Sequence, residues 1–154
     1  MLRIIGVIGG GSAGITHYSK AEEVGRLIAL RGWMLVCGGL GGVMEAAARG
    51  AHEAGGVTIG LLPGNDRDSA NQFITIPITT GLGEGRNLLI VRTSDLLIAI
   101  GGEYGTLSEI ALALKTGKPV IGLDTWDIPG VIRALSPEDA VSHANKLLHP
   151  ENRC

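Results

Sequence analysis

The chain has 154 residues and a net charge of −2, with 45% hydrophobic and 18% charged residues and 25 glycines. That length suits one α/β domain over residues 1–154 with a full core, and the near-neutral charge argues against a general nucleic-acid coat. The two cysteines, Cys37 and Cys154, lack C-x-x-C or zinc-like spacing, which argues against a bridged secreted framework and for a reducing cytoplasm.

The opening MLRIIGVIGGG meets glycines too soon to read as a signal peptide or a membrane span. Ile4 to Ile8 reads as a first strand, followed by the loop Gly9 to Gly14 and a helix from Thr16 to Leu30 that Gly32 ends. Met34 to Cys37 is a short second strand and Gly38-Gly39-Leu40-Gly41-Gly42 a second glycine turn. A helix over Val43 to Ala54, stopped by Gly55-Gly56, leads to a third strand at Val57 to Leu62. Asn65 to Gln72 is polar and turn-rich and reads as a mobile loop. Phe73 to Ile78 is a fourth strand, which Pro77 either places towards an edge or ends there.

Gly81 to Gly85 is a turn, and Arg86 to Arg92 a short helix. The apolar run Leu96 to Ile100 then reads as a strand buried on both faces. Gly101 and Gly102 break it, and Gly105-Thr106 opens a helix with Leu107, Ile110, Ala111 and Leu114 on one apolar face. Gly117-Lys118-Pro119 is a stop signal, and Val120 to Leu123 a further strand. Asp124 to Ala134 looks irregular. Ser136 as N-cap, Pro137 at the first helical position and Asp139 at the third predict a last helix to about Leu148. Alternating strands and helices imply a doubly wound, Rossmann-like parallel sheet with helices on both faces.

The turn from Leu96–Ile100 into the next helix organises the chain. A helix start leaves backbone N–H groups without partners and carries partial positive charge, so it favours an anion, typically phosphate. Gly9 to Gly14 fits G-x-G-x-x-G between a strand and a helix. A dinucleotide site also wants an acidic residue at the end of the second strand, where the chain has Val36-Cys37-Gly38. That argues against nicotinamide and flavin.

Glu109 has two readings. Thr106-Leu107-Ser108-Glu109 is a T-x-x-E capping box. Alternatively, Glu109 is a carboxylate beside a bound phosphorylated sugar, stabilising charge or orienting water. Arg86 is either a solvated helix residue or a phosphate or leaving-group contact. His17, His52, His143 and His149 show no metal spacing, and Ser12 and Ser108 lack a paired histidine motif. No metal site and no acyl transfer are expected.

Gly85-Arg86-Asn87 followed by Gly102-x-Tyr104-Gly105-Thr106-x-x-Glu109 resembles the LOG-like family, often mislabelled lysine decarboxylases. The glycine-serine loop after the first strand and Gly38-Gly39-Leu40-Gly41-Gly42-Val43-Met44 after the second are similar too. The resemblance spans about Ile4 to Leu123. LOG enzymes hydrolyse the N-glycosidic bond of cytokinin nucleoside 5′-monophosphates to free base and ribose 5-phosphate. The resemblance implies Arg86 and Glu109 as the catalytic pair. It implies phosphate or nucleotide contacts from Gly10, Gly11, Ser12, Gly38, Gly39, Gly41, Gly101, Gly102, Tyr104, Gly105 and Thr106.

Two residues depart from the family pattern. Glu103 puts negative charge beside the proposed phosphate, and Asn87 stands where the enzymes usually carry lysine. This Gly-Gly-Glu version resembles a branch near the molybdenum-cofactor carrier proteins. Two functions therefore stay open: a nucleoside 5′-monophosphate phosphoribohydrolase, or a non-catalytic carrier of a nucleotide or phosphorylated pterin. Lys20, Lys115, Lys118 and Lys146 are the only lysines, and none has a Schiff-base setting, so pyridoxal-dependent lysine decarboxylation has no support. No cofactor, nucleic acid or membrane is expected as a partner. A small phosphorylated ligand and a homo-oligomer are.

Overall fold

The computed structural model describes residues 1–152; Cys154 lies outside them. Seven strands form one sheet in the order β4-β3-β2-β1-β5-β6-β7. They are β1 (Ile4–Gly9), β2 (Met34–Cys37), β3 (Thr58–Leu62), β4 (Ile76–Thr79), β5 (Leu96–Ile100), β6 (Val120–Leu123) and β7 (Val131–Arg133). Every neighbouring pair is parallel. The helices are α1 (Ile15–Leu30), α2 (Val43–Glu53), α3 (Arg86–Thr93), α4 (Tyr104–Lys115) and α5 (Pro137–Leu148).

All five residues of β5 are fully buried. Its side chains alternate between two apolar layers, as strand geometry requires. Leu96, Ile98 and Ile100 join residues of α1, α2 and α5, whereas Leu97 and Ala99 join Ile90 and Val91 of α3 and Ile110 and Ala113 of α4. Helices thus cover both faces, the doubly wound arrangement expected of continuous apolar strands. α1 and α2 pack backbone to backbone, since a Cβ at Gly25 would stand 1.9 Å from the Ala47 carbonyl oxygen.

Four details differ from the sequence expectations. β4 starts at Ile76 rather than Phe73, although its edge position holds. Asp124 to Ala134 is not wholly irregular, because Val131–Arg133 pairs with β6 as the opposite edge strand. The loop before β4 contains a 3-10 turn at Arg67–Ser69 and is fastened by Asn71, whose Nδ2 donates to the Leu40 carbonyl at 2.8 Å. α4 buries Thr106, Glu109, Ile110 and Ala113, while Ala111 is exposed.

The chain runs outwards from β1 to β4, then returns to β5 on the other side of β1. Gly9 lies in register with Ile100. The order reverses between these two strands, and a crevice opens beyond their carboxyl ends. In open parallel sheets ligands bind at such a point.

Candidate functional site

A cavity of about 750 Å³ fills that crevice. Its floor is Val7 and Ile8 of β1, and its walls are the loops that leave β1, β2 and β5. The loops hold each other closely. The Gly10 carbonyl accepts a hydrogen bond from the Val43 N–H at 3.0 Å, joining the first loop to the start of α2. At Gly42 φ is +64°, and a Cβ there would stand 2.3 Å from the Gly10 oxygen. Gly102 has φ +97°, and its Cβ would meet Thr106 Oγ1 at 2.3 Å. Only glycine combines such a backbone with such an approach.

α4 starts at Tyr104, after Glu103 as N-cap, and no side chain caps it. Gly105 and Thr106 of its first turn line the cavity. The capping box, one of the two readings of Glu109, does not form. The helix begins two residues before Thr106, so Thr106 is inside it, buried at 3% exposure. Glu109 lies one turn further on and also faces the cavity. It is 6% exposed, and burial raises its carboxyl to a pKa of about 7, with nearby Arg86 pulling the other way.

Arg86 opens α3 and lines the same cavity. Its guanidinium lies along Gly38, where a Cβ would stand 2.8 Å from Nη2 and 2.6 Å from Met44 Sδ. Nη1 donates to the side-chain oxygen of Asn87, and Nε is buried without a partner. Behind them Cys37 is fully buried, and burial pushes its thiol up to about 11. It stays neutral and is no nucleophile.

Of the residues singled out in the sequence, Gly10, Gly11, Ser12, Gly38, Arg86, Gly102, Gly105, Thr106 and Glu109 line the cavity. Gly39, Gly41, Gly101 and Tyr104 do not line it. Gly39 serves the turn instead, donating to Cys37 Sγ at 3.4 Å and accepting from the Asn71 N–H at 2.9 Å. The Gly101 carbonyl accepts from Thr125 Oγ1 at 2.6 Å. Tyr104 is exposed and stacks on Trp126, with ring centroids 6.1 Å apart.

The sequence reading missed His17, which lines the cavity from the first turn of α1. Its Nε2 is 3.9 Å from Asp124 Oδ2, which Lys20 also holds, at 2.5 Å. No motif links these three; only the fold brings them together. Glu103 is exposed at the mouth, and its carbonyl accepts from Trp126 Nε1 at 3.2 Å. Among the described residues, no group of three or more His, Cys, Asp or Glu is placed to hold a metal ion. No helix among them is long and apolar enough to cross a membrane.

The family model described as SLOG cluster4 matches residues 2–149. An uncharacterized protein of Archaeoglobus fulgidus is 48% identical over 143 residues, which cover 90% of this chain and 92% of that protein. The cytokinin riboside 5′-monophosphate phosphoribohydrolase of Mycobacterium tuberculosis is 37% identical over 116 residues, 69% of this chain and 62% of that protein. The solved molybdenum cofactor binding protein of Rippkaea orientalis superposes with a TM-score of 0.92 and 42% identity, over 96% of this chain and 98% of that one.

Proposed function

The chain belongs to the SLOG cluster4 family, and from that premise we propose that it binds a small phosphorylated heterocycle of the molybdenum-cofactor kind and holds it without turnover. One observation carries this reading. Glycine turns and an uncapped helix start line one cavity of about 750 Å³, a size typical of small-ligand sites. Backbone N–H groups there suit a phosphoryl group, and the remaining volume suits a fused ring. The likeness to the Rippkaea orientalis protein over nearly the whole of both chains supports the same reading.

Thermal unfolding with and without nucleoside monophosphates and pterin phosphates tests it. A ligand at a hundred times its dissociation constant adds about 2.7 kcal/mol of stability, and the melting temperature should rise without product formation. Failure of every such ligand to move the melting curve would reject the reading.

A second reading is N-glycosidic hydrolysis of a nucleoside 5′-monophosphate. Glu109, with its pKa of about 7, and Arg86 in one cavity favour it, as does the similarity to the Mycobacterium tuberculosis hydrolase. Incubation with adenylate and N6-substituted adenylates decides the matter. Release of free base, abolished in Glu109→Gln, replaces the carrier reading by this one. We further propose a cytoplasmic homo-oligomer, supported by exposed Ile15 and Leu30 on α1; light scattering that shows only monomer contradicts the oligomer.

A further inference from the structure

Glu109 is 94% buried, being 6% exposed, and it faces the cavity. Among the described residues no donor meets its carboxyl, so the deep wall offers two oxygen acceptors to whatever enters. Burial disfavours the ionised form of this carboxyl, and a bound donor offsets that cost. On α3, Asn87 is 9% exposed and lines the same cavity. Its Oδ1 accepts from Arg86 Nη1. A guanidinium has donors only, so the amide oxygen must face Arg86 and the amide nitrogen is left to the cavity. The cavity therefore presents acceptors at Glu109, from α4, and donors at Asn87, from α3.

We infer that this cavity reads a 2-amino-4-oxo-pyrimidine edge, the face shared by guanine and pterins. The amino group and ring N–H donate to Glu109, and the ring carbonyl accepts from Asn87. Adenine offers one amino donor next to a ring-nitrogen acceptor, and that lone pair would face the lone pair of a Glu109 oxygen. The inference rests on the reading of the cavity as a site for a phosphorylated heterocycle, and it names which heterocycle. It gives Asn87 a part in recognition.

The test is calorimetric titration at pH 8, where Glu109 is ionised, with guanylate, adenylate, neopterin monophosphate and inorganic phosphate. Guanylate and neopterin monophosphate should each bind about ten- to a hundredfold tighter than adenylate, the usual discrimination of a bidentate contact. Glu109→Gln presents one acceptor and one donor, which suits adenine. Its preference should shift towards adenylate while its affinity for inorganic phosphate stays unchanged. Asn87→Asp should weaken guanylate binding at least tenfold and leave inorganic phosphate alone. Melting curves verify that both variants are folded. Equal binding of guanylate and adenylate, or a preference that survives in Glu109→Gln, overturns this inference and leaves the phosphorylated-ligand reading standing. If none of the three organic phosphates binds, both fall together.

Discussion

Arg86 donates to the side-chain oxygen of its neighbour Asn87 and forms no ion pair with Glu109, although both residues line one cavity. A carboxyl left buried and unpaired in this way keeps its proton to higher pH. The unfolded chain gives that proton up near the model-peptide value of 4.5, whereas the folded protein holds it to about 7. Between those values the folded state binds more protons than the unfolded state, so stability falls as pH rises. The loss is nearly complete about one pH unit above the folded-state value and amounts to something on the order of 3 kcal/mol. Denaturant unfolding at pH 5 and pH 8 should show it. Glu109→Gln should remove this slope and be more stable than the parent at pH 8.

A ligand that donates to Glu109 should reverse the shift. Glu109 is about half-protonated at pH 7, so binding there then releases up to about half a proton, because a carboxylate accepting hydrogen bonds is favoured over the neutral acid. Calorimetry in two buffers of different ionisation enthalpy counts that proton. Proton uptake on binding would mean that Glu109 meets an acceptor instead.

Gly38 is the position where ligand binding and stability should separate. A Cβ there would crowd Arg86 Nη2 and Met44 Sδ, both ends of flexible side chains that are able to move. Gly38→Ala should cost about 1 kcal/mol of stability, the low end for overpacking, yet displace Arg86 and weaken ligand binding at least tenfold. Gly25→Ala is the opposite case. Its Cβ would stand 1.9 Å from the Ala47 carbonyl oxygen of the facing helix, far from the cavity. It should lose about 3 kcal/mol or more of stability, with ligand affinity unchanged in whatever protein remains folded.

Much of this architecture is legible in the residues because glycine punctuates it. Leu96–Ile100 and Val120–Leu123 are apolar runs with clear ends, and both strands begin and end where the pattern says. β7 has three residues and pairs on one side only, too short for any periodicity. The helix after β5 shows a deeper limit. Leu107, Ile110, Ala111 and Leu114 look like its inner face, but the helix turns Thr106 and Glu109 inwards. A hydrophobic pattern marks a core-facing side and is blind to a polar side that faces a cavity. For the same reason His17, in the first turn of another helix, carries no mark in the sequence.

Asp124 is the only non-glycine described residue with positive φ, at +50°. It follows β6 directly, and its carboxylate holds Lys20 and lies near His17. The pair with Lys20 is half exposed, so its direct contribution to stability is small. The left-handed backbone costs about 1 kcal/mol or more for most residues, and asparagine tolerates it better than alanine. Asp124→Asn and Asp124→Gly should therefore leave stability within about 0.5 kcal/mol of the parent, while Asp124→Ala loses about 1 kcal/mol. If the role of Asp124 lies in orienting His17 at the cavity, all three variants weaken ligand binding alike. If Asp124 serves the turn alone, affinity is unchanged in Asp124→Asn and Asp124→Gly. Parallel melting and binding curves on the three variants separate backbone strain from electrostatics at this corner of the site.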